Sequence, residues 1–320
     1  MTSRDCNAWH TPVLLEETIE ALAVHEDGLY LDMTCGGGGH SAEILMQLGE
    51  KGRLYAADRD AASVRICEER LFALKATGQF RTVAAPFSAL TRWLPEEDRG
   101  KVNGLLADLG VSSHQLDNAE RGFSYLHDGP LDMRMDQSQE ETAEKLIASL
   151  TQDELTCVFR TYGEEQYAAR IARAIVLARR EAPIRTTGRL AEIVAHAVPP
   201  KARRGGHPAR RVFQAVRMAV NHEYDELSTL LETIPYIMAS GGRVVIISFH
   251  SIDDRMVKQA MRRWEHPCEC PTDLPCVCGK KPLGRAVKRQ SIVAGEREKV
   301  NNPRSRSARL RAFVFEEVII

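Results

Sequence analysis

A chain of 320 residues with 43% hydrophobic and 27% charged side chains has the composition of a folded globular protein, one large domain or two ordinary ones, and is neither disordered nor fibrous. No apolar run approaches the roughly 18 residues a membrane span needs, and the start, MTSRDCNAWHTPVLLEE, has no secretory pattern, so a cytoplasmic protein with no membrane partner is expected. The formal charge of −1 hides segregation: residues 158–217 carry 13 Lys and Arg against 4 Glu, and residues 280–311 carry 11 against 2, which suggests a polyanionic partner, although two solvated helix faces would read the same.

GLYLDMT (Gly28 to Thr34) reads as a buried strand running through an acid into glycines, and HSAEILMQL (His40 to Leu48) has helical spacing. RLYAAD (Arg53 to Asp58) is a second strand ending in an acid, followed by a helix through ASVRICEERLFAL. RTVAA (Arg81 to Ala85) is a third and VNGLLAD (Val102 to Asp108) a fourth. Strands alternating with helices predict an α/β domain with a largely parallel sheet. From about Thr142 to Val198 the pattern is helical, with ARIARAIVLARR its clearest amphipathic piece. PARRVFQAVRMAVNHEYDELSTLLETIPYIM is helical, SGG reads as a stop, RVVIISF (Arg243 to Phe249) is an apolar strand, and LRAFVFEEV is a last one. The predicted organisation is a sheet domain built from residues 1–113 and 214–320, interrupted by a helical, substrate-recognising insertion at 114–213.

The turn DMTCGGGGHS (Asp32 to Ser41) joins the first strand to the first helix of this sheet. Glycines there let backbone N–H groups approach a ligand, and a helix N-terminus favours negative charge. A P-loop is excluded because no Gly-Lys-Ser or Gly-Lys-Thr closes the run, and the dinucleotide fingerprint starting at Gly36 and Gly38 meets Ser41 at its third position. Asp32, Thr34, Gly36 and Gly38 instead follow the D-x-[GT]-x-G-x-G pattern of S-adenosylmethionine-dependent methyltransferases. Asp58, 19 residues past Gly39 at a strand end, is placed to accept hydrogen bonds from two ribose hydroxyls, or else caps the next helix. Phe87 is either an adenine-packing ring or an ordinary core aromatic.

HTPVLLEE (His10 to Glu17), DMTCGGGGHS, DLGVSSHQLD (Asp108 to Asp117), ERGFSYLHDGPLDMRMD (Glu120 to Asp136), TYGEE (Thr161 to Glu165), FQAVRMAVNHE (Phe213 to Glu223), SFHSIDDRMVK (Ser248 to Lys258) and NPRSRSARLR (Asn302 to Arg311) together resemble the MraW or RsmH family over essentially the whole chain. The resemblance implies a class I S-adenosylmethionine-dependent methyltransferase sheet, Rossmann-like, with an inserted α-helical domain. It further implies methylation of the exocyclic N4 amine of one cytidine in small-subunit (16S) ribosomal RNA, with the 30S subunit as the setting. On the same resemblance Gly38, Gly39 and His40 contact the cofactor, Asp58 holds its ribose, and Phe87, Asp108 and Gln115 complete the pocket. His114 departs from the family's usual proline just before the glutamine.

Methyl transfer from a sulfonium is an in-line displacement, and a cytosine amine is a weak nucleophile because its lone pair is delocalised into the ring. An acceptor near its N–H groups would sharpen the nitrogen and take up the developing charge. The D-P-P-Y-type motif that many amino methyltransferases place after the fourth strand is absent; the chain reads DLGVSS there, leaving Asp108 and His250 as catalytic candidates. Phe249 would either stack on a flipped base or belong to the core. RRGGH (Arg203 to His207) and NPRSRSARLR are the densest basic patches for phosphate contacts.

Of 8 cysteines, Cys268, Cys270, Cys276 and Cys278 cluster as C-x-C, five residues, C-x-C. No metal is expected in the catalytic site. The cluster is either a tetrahedral structural zinc set, with tighter spacing than zinc ribbons use, or a loop of reduced thiols.

Overall fold

The computed structural model describes residues 12–200, 206–271 and 277–316. They form two compact units, one of residues 1–110 with 225–320 and one of residues 111–224.

The first unit is built on a seven-stranded sheet of order β3-β2-β1-β4-β5-β7-β6. The strands are β1 (Leu29–Asp32), β2 (Arg53–Asp58), β3 (Gln79–Ala84), β4 (Val102–Asp108), β5 (Met238–Ser248), β6 (Gly284–Ala286) and β7 (Arg309–Phe315). β3 through β5 run parallel, and β7 is antiparallel to both β5 and β6. This is the class I methyltransferase type of sheet that the sequence led us to expect. Its inner strands are continuous apolar runs because both faces are covered. Leu29, Leu31, Leu105, Ala107, Val244 and Ile246 point to one buried cluster, and Tyr30, Leu54, Ala56, Leu106, Val245 and Ile247 to another, the period-2 alternation of a strand. Helices α1 (Leu15–Leu22), α2 (Gly39–Gln47) and α3 (Ala61–Ala73) contribute to the second face.

Two sequence readings of the sheet change. SGG is not a stop: β5 already starts at Met238 and passes through Gly241 and Gly242 with a register shift against Val102 and Gly104. The short β6 was not anticipated at all. A Cβ on Gly284 would lie 1.9 Å from the Val314 carbonyl, so close approach of backbones, rather than side-chain pattern, makes that pairing.

Under the sheet, Asp98 is 2% exposed and receives Arg53 Nη1 and Nη2 at 2.9 and 2.6 Å and the Tyr55 hydroxyl at 3.0 Å. Asp98→Ala leaves a buried phenol and a guanidinium without their acceptor. It is expected to cost about 2–3 kcal/mol of unfolding free energy in urea titrations, and a loss below about 0.5 kcal/mol would show that water replaces the carboxylate.

The second unit is helical. After α4 (Leu90–Trp93) of the sheet unit come α5 (Ser113–Asp117), α6 (Ala143–Ser149), α7 (Gln152–Thr161), α8 (Ala168–Glu181), α9 (Thr187–Ala197) and α10 (Arg210–Val220). The core of this unit includes Leu155, Phe159, Ile171, Ile175, Leu190, Val194, Val212, Phe213 and Val216. Its last residue, 224, lies beyond the predicted 213 because α10 turns Val212, Phe213, Val216 and Val220 into that core. The long helical run read from PARRV to PYIM is two helices, α10 and α11 (Glu223–Ile237), broken at Asn221 and His222, where φ of His222 is +50°. Asn221 is fully buried. Its Nδ2 donates to the Met133 carbonyl at 2.7 Å and its Oδ1 accepts from Met135 N–H at 2.8 Å, so the break anchors the ERGFSYLHDGPLDMRMD segment.

Helices α12 (Ser251–Glu265) and α13 (Glu296–Asn301) complete the sheet unit. Among the described residues no helix is long and apolar enough to cross a membrane.

Candidate active site

In an open α/β sheet ligands collect outside the carboxyl ends of the strands, where the strand order reverses. Here that point lies between β1 and β4. Three strands end there or beside it on an acid: β1 on Asp32, β2 on Asp58 and β4 on Asp108.

Asp32 is 1% exposed and is the internal brace of the edge. Its Oδ2 accepts the Ser41 hydroxyl at 2.5 Å and its Oδ1 the Thr34 N–H at 3.1 Å, tying the end of β1 to both sides of the glycine turn. Burial pushes its pKa up to about 6, opposed by the Ser41 hydroxyl. The Thr34 hydroxyl in turn accepts the Asp108 N–H at 2.6 Å, locking β1 to β4 beyond their ladder.

Asp58 accepts the Gly36 N–H at 3.0 Å through Oδ2 and the Asp60 N–H at 2.9 Å through Oδ1. Asp60, not Asp58, caps α3 by accepting from Ala62 N–H. The helix-capping alternative for Asp58 therefore fails, and each of its oxygens keeps lone-pair capacity. Burial raises its pKa to about 6 against the two backbone hydrogen bonds.

Asp108 differs from both. Its Oδ1 is buried with no hydrogen-bond partner, and burial, with the charge of Asp32 second, pushes its pKa up to about 8. A shielded acceptor left unmatched is costly unless a ligand supplies the donor. Three carboxyls raised by burial at one edge favour a ligand that carries positive charge and several O–H or N–H donors.

The glycine turn is shaped by packing as well as by approach. Gly38 has φ +75°, and a Cβ there would sit 3.2 Å from the Cα and Sγ of Cys67 on α3; a Cβ on Gly39 would lie 2.3 Å from Cγ of Pro12. Gly38 is the N-cap of α2, so the first-turn N–H groups of Gly39, His40 and Ser41 have no partner within the helix. The His40 ring is not part of that surface: it is 6% exposed, its Nε2–H donates to the Val13 carbonyl at 3.1 Å, and burial lowers its pKa to about 4. Ser41 and Cys67, which hold the turn from two sides, escaped the sequence reading. Ser41 looked only like a failed fingerprint position, and nothing around Cys67 singles it out.

Phe87 starts a 3-10 turn after β3 and is half-buried against the core that holds Leu90 and Leu94. Phe249 is likewise half-buried, packed on the opposite face, and a Cβ on Gly110 would stand 3.8 Å from its ring. His250 is the N-cap of α12, directly past β5 on the same edge. Gln115 belongs to the helical unit, 3% exposed, where its Oε1 accepts the Ser112 N–H in a capping box.

Of the basic patches, Arg203 and Arg204 lie outside the described residues. In NPRSRSARLR, Pro303–Ser307 form a 3-10 helix and Arg309 opens β7; Arg306 and Arg309 are exposed. Arg311 is committed to Asp254 by two bonds of 2.7 and 3.0 Å, so it serves the fold rather than a phosphate.

The sequence profile described as the MraW methylase family matches residues 7–316. A ribosomal RNA small subunit methyltransferase H of Symbiobacterium thermophilum is 50% identical over 309 residues, covering 95% of this chain and 96% of that one. Enzymes of the same name from Clostridium botulinum (strain Loch Maree) and Halothermothrix orenii are each 46% identical, over 303 and 307 residues, covering 94% of this chain and 97% of theirs.

Proposed function

The chain belongs to the MraW methylase family, and from that premise we propose that it methylates the exocyclic N4 amine of a specific cytidine in small-subunit (16S) ribosomal RNA, using S-adenosylmethionine. The observation that carries the site assignment is the buried, unmatched Oδ1 of Asp108 beside two further raised carboxyls. S-adenosylmethionine fits that edge: it is cationic at sulfur and at its amino group, and its ribose brings two hydroxyl donors. When bound, it supplies a methyl group activated by the sulfonium.

The chain's own residues do the rest. Asp58 accepts the ribose hydroxyls, and Gly39 and His40 contribute backbone N–H groups at the start of α2, where the helix end favours a carboxylate; Gly38, whose own N–H donates to the Cys35 carbonyl at 2.6 Å, contributes the open approach that its missing side chain leaves. Phe87 packs on the adenine, and Gln115, in the helical unit, is the remaining cofactor residue that the family resemblance implies. Asp108 accepts an N–H of the cytosine amine, drawing the nitrogen towards tetrahedral geometry and holding the charge that develops on it. His250, at the same edge, is the second candidate to take the departing proton.

The substrate is RNA in the small subunit, with the assembled 30S particle as the proposed setting and the cytoplasm as the compartment. The purified protein with radiolabelled S-adenosylmethionine should label small subunits that lack this modification at one cytidine and leave modified subunits unlabelled. Cofactor binding without transfer to such subunits, or to their free RNA, would defeat the reading.

The basic segments supply phosphate affinity. Neutralising Arg203 and Arg204 together is expected to weaken RNA binding and to lower the slope of log affinity against log salt by about 2. An unchanged slope in filter binding would mark those arginines as a solvated face.

A further inference from the structure

The cysteine cluster lies away from the carboxyl edge. Helix α12 leaves that edge after β5 and runs 15 residues, roughly 22 Å, before the loop that carries the cysteines begins. The base of the loop is closed where the Leu283 N–H donates to the Trp264 carbonyl at 2.8 Å, just before β6. Between these fixed ends the sulfurs of Cys268, Cys270 and Cys278, from opposite arms of the loop, all lie within 4.8 Å of one another. A tetrahedral zinc with Zn–S bonds of about 2.3 Å needs its sulfurs roughly 3.8 Å apart, a spacing that lies inside the 4.8 Å limit.

Among the described residues of the loop nothing apolar explains the convergence: Cys268 and Cys278 are exposed, Cys270 is half-buried, and Val277, beside Cys278, is 88% exposed. Thiols that meet with so little burial are doing something other than packing. Two further features support the closed form. Lys280 and Glu269, one on each arm, pair at 2.9 Å, and Gly279 takes φ +64° with open space around it, turning the second arm at no steric cost.

We propose that Cys268, Cys270 and Cys278 bind a structural zinc ion that fastens the loop between α12 and β6. Three thiolates and a dication leave a net charge of −1, small enough for an exposed loop to carry in water. Cys276, the remaining cysteine of the motif, lies outside the described residues and is not part of the assignment. The site is independent of methyl transfer and stands or falls separately from it.

The test uses the full chain purified without chelator. Wild-type protein should hold about one zinc per chain by elemental analysis, released when the thiols are titrated with a mercurial. Cobalt replacement should give the charge-transfer and visible bands of tetrahedral thiolate coordination. Cys268→Ser and Cys270→Ser should each retain less than about a tenth of the metal, while Cys157→Ser, an exposed cysteine elsewhere, keeps it. Because a loop variant can fail to fold, the wild-type metal content and cobalt spectrum decide the matter alone. Wild-type protein without metal and without those bands overturns the proposal, as does zinc that survives both substitutions, or a disulfide among the three cysteines under anaerobic purification.

Discussion

Asp108→Ala is expected to lower the single-turnover rate of methyl transfer about 100- to 1,000-fold at saturating cofactor, the usual loss when a preorganised electrostatic partner of the reacting group is removed. The pH profile separates this role from a merely structural one. Asp108 can take the amine's proton, or hold the positive charge that develops on it, only as a carboxylate, and burial holds its pKa at about 8 in the free protein. Wild-type kcat/KM should therefore climb about tenfold per pH unit below about 8 and level off above it. Asp108→Asn should lose that limb along with the rate. A wild-type profile that is flat between about pH 6 and 9 would exclude Asp108 as the titrating acceptor. Stability moves the other way. The folded pKa is raised above the roughly 3.9 of an unfolded Asp, so the cost of burying this group is absent below about pH 4, grows as pH rises, and is complete above about 8. Asp108→Asn should accordingly raise the melting temperature of the ligand-free protein more at pH 8 than at pH 5, a thermal-shift comparison that needs no substrate.

The second large effect is on the cofactor alone. Asp58→Ala removes the proposed ribose acceptors and also the group that holds the Gly36 and Asp60 N–H donors in place. Hydrogen bonds to a charged acceptor contribute about 1.5–3 kcal/mol, so calorimetry should show cofactor affinity falling by about 10- to 100-fold. RNA affinity in the same preparation should stay within about twofold. A parallel loss of both would mean that the edge had collapsed, not that one ligand had lost its partner.

The sequence announced the sheet wherever a buried apolar run ended in an acid. β2 and β4 begin and end where RLYAAD and VNGLLAD do, because both faces of those strands are covered and the first polar side chain marks the edge. It was silent where backbone contact alone makes the element: Gly284, Arg285 and Ala286 carry no pattern and are a strand only because β7 lies beside them. The break between α10 and α11 was hidden for a related reason. Asn221 and His222 fit a helical period, and only the bonds from Asn221 to Met133 and Met135, almost 90 positions away, turn the chain there. The acids at the carboxyl edge were legible as a motif, but their different chemistries were not. Spacing makes Asp32, Asp58 and Asp108 look alike; the Ser41 hydroxyl, two backbone N–H groups and an unmatched oxygen make them a brace, a proposed clasp and a proposed catalyst.

β7 lies between β5 and β6 rather than at the sheet's rim. During synthesis β5 therefore waits some 60 residues with one backbone edge unpaired, and β6 has no neighbour at all until residues 309–315 follow it. The helical unit, contiguous from 111 to 224, is free of that delay. A nascent chain stalled before Arg309 presents the open edge of VVIIS, an apolar ladder that another unfinished chain can extend, so the hazard in making this protein is concentrated in one late interval of translation.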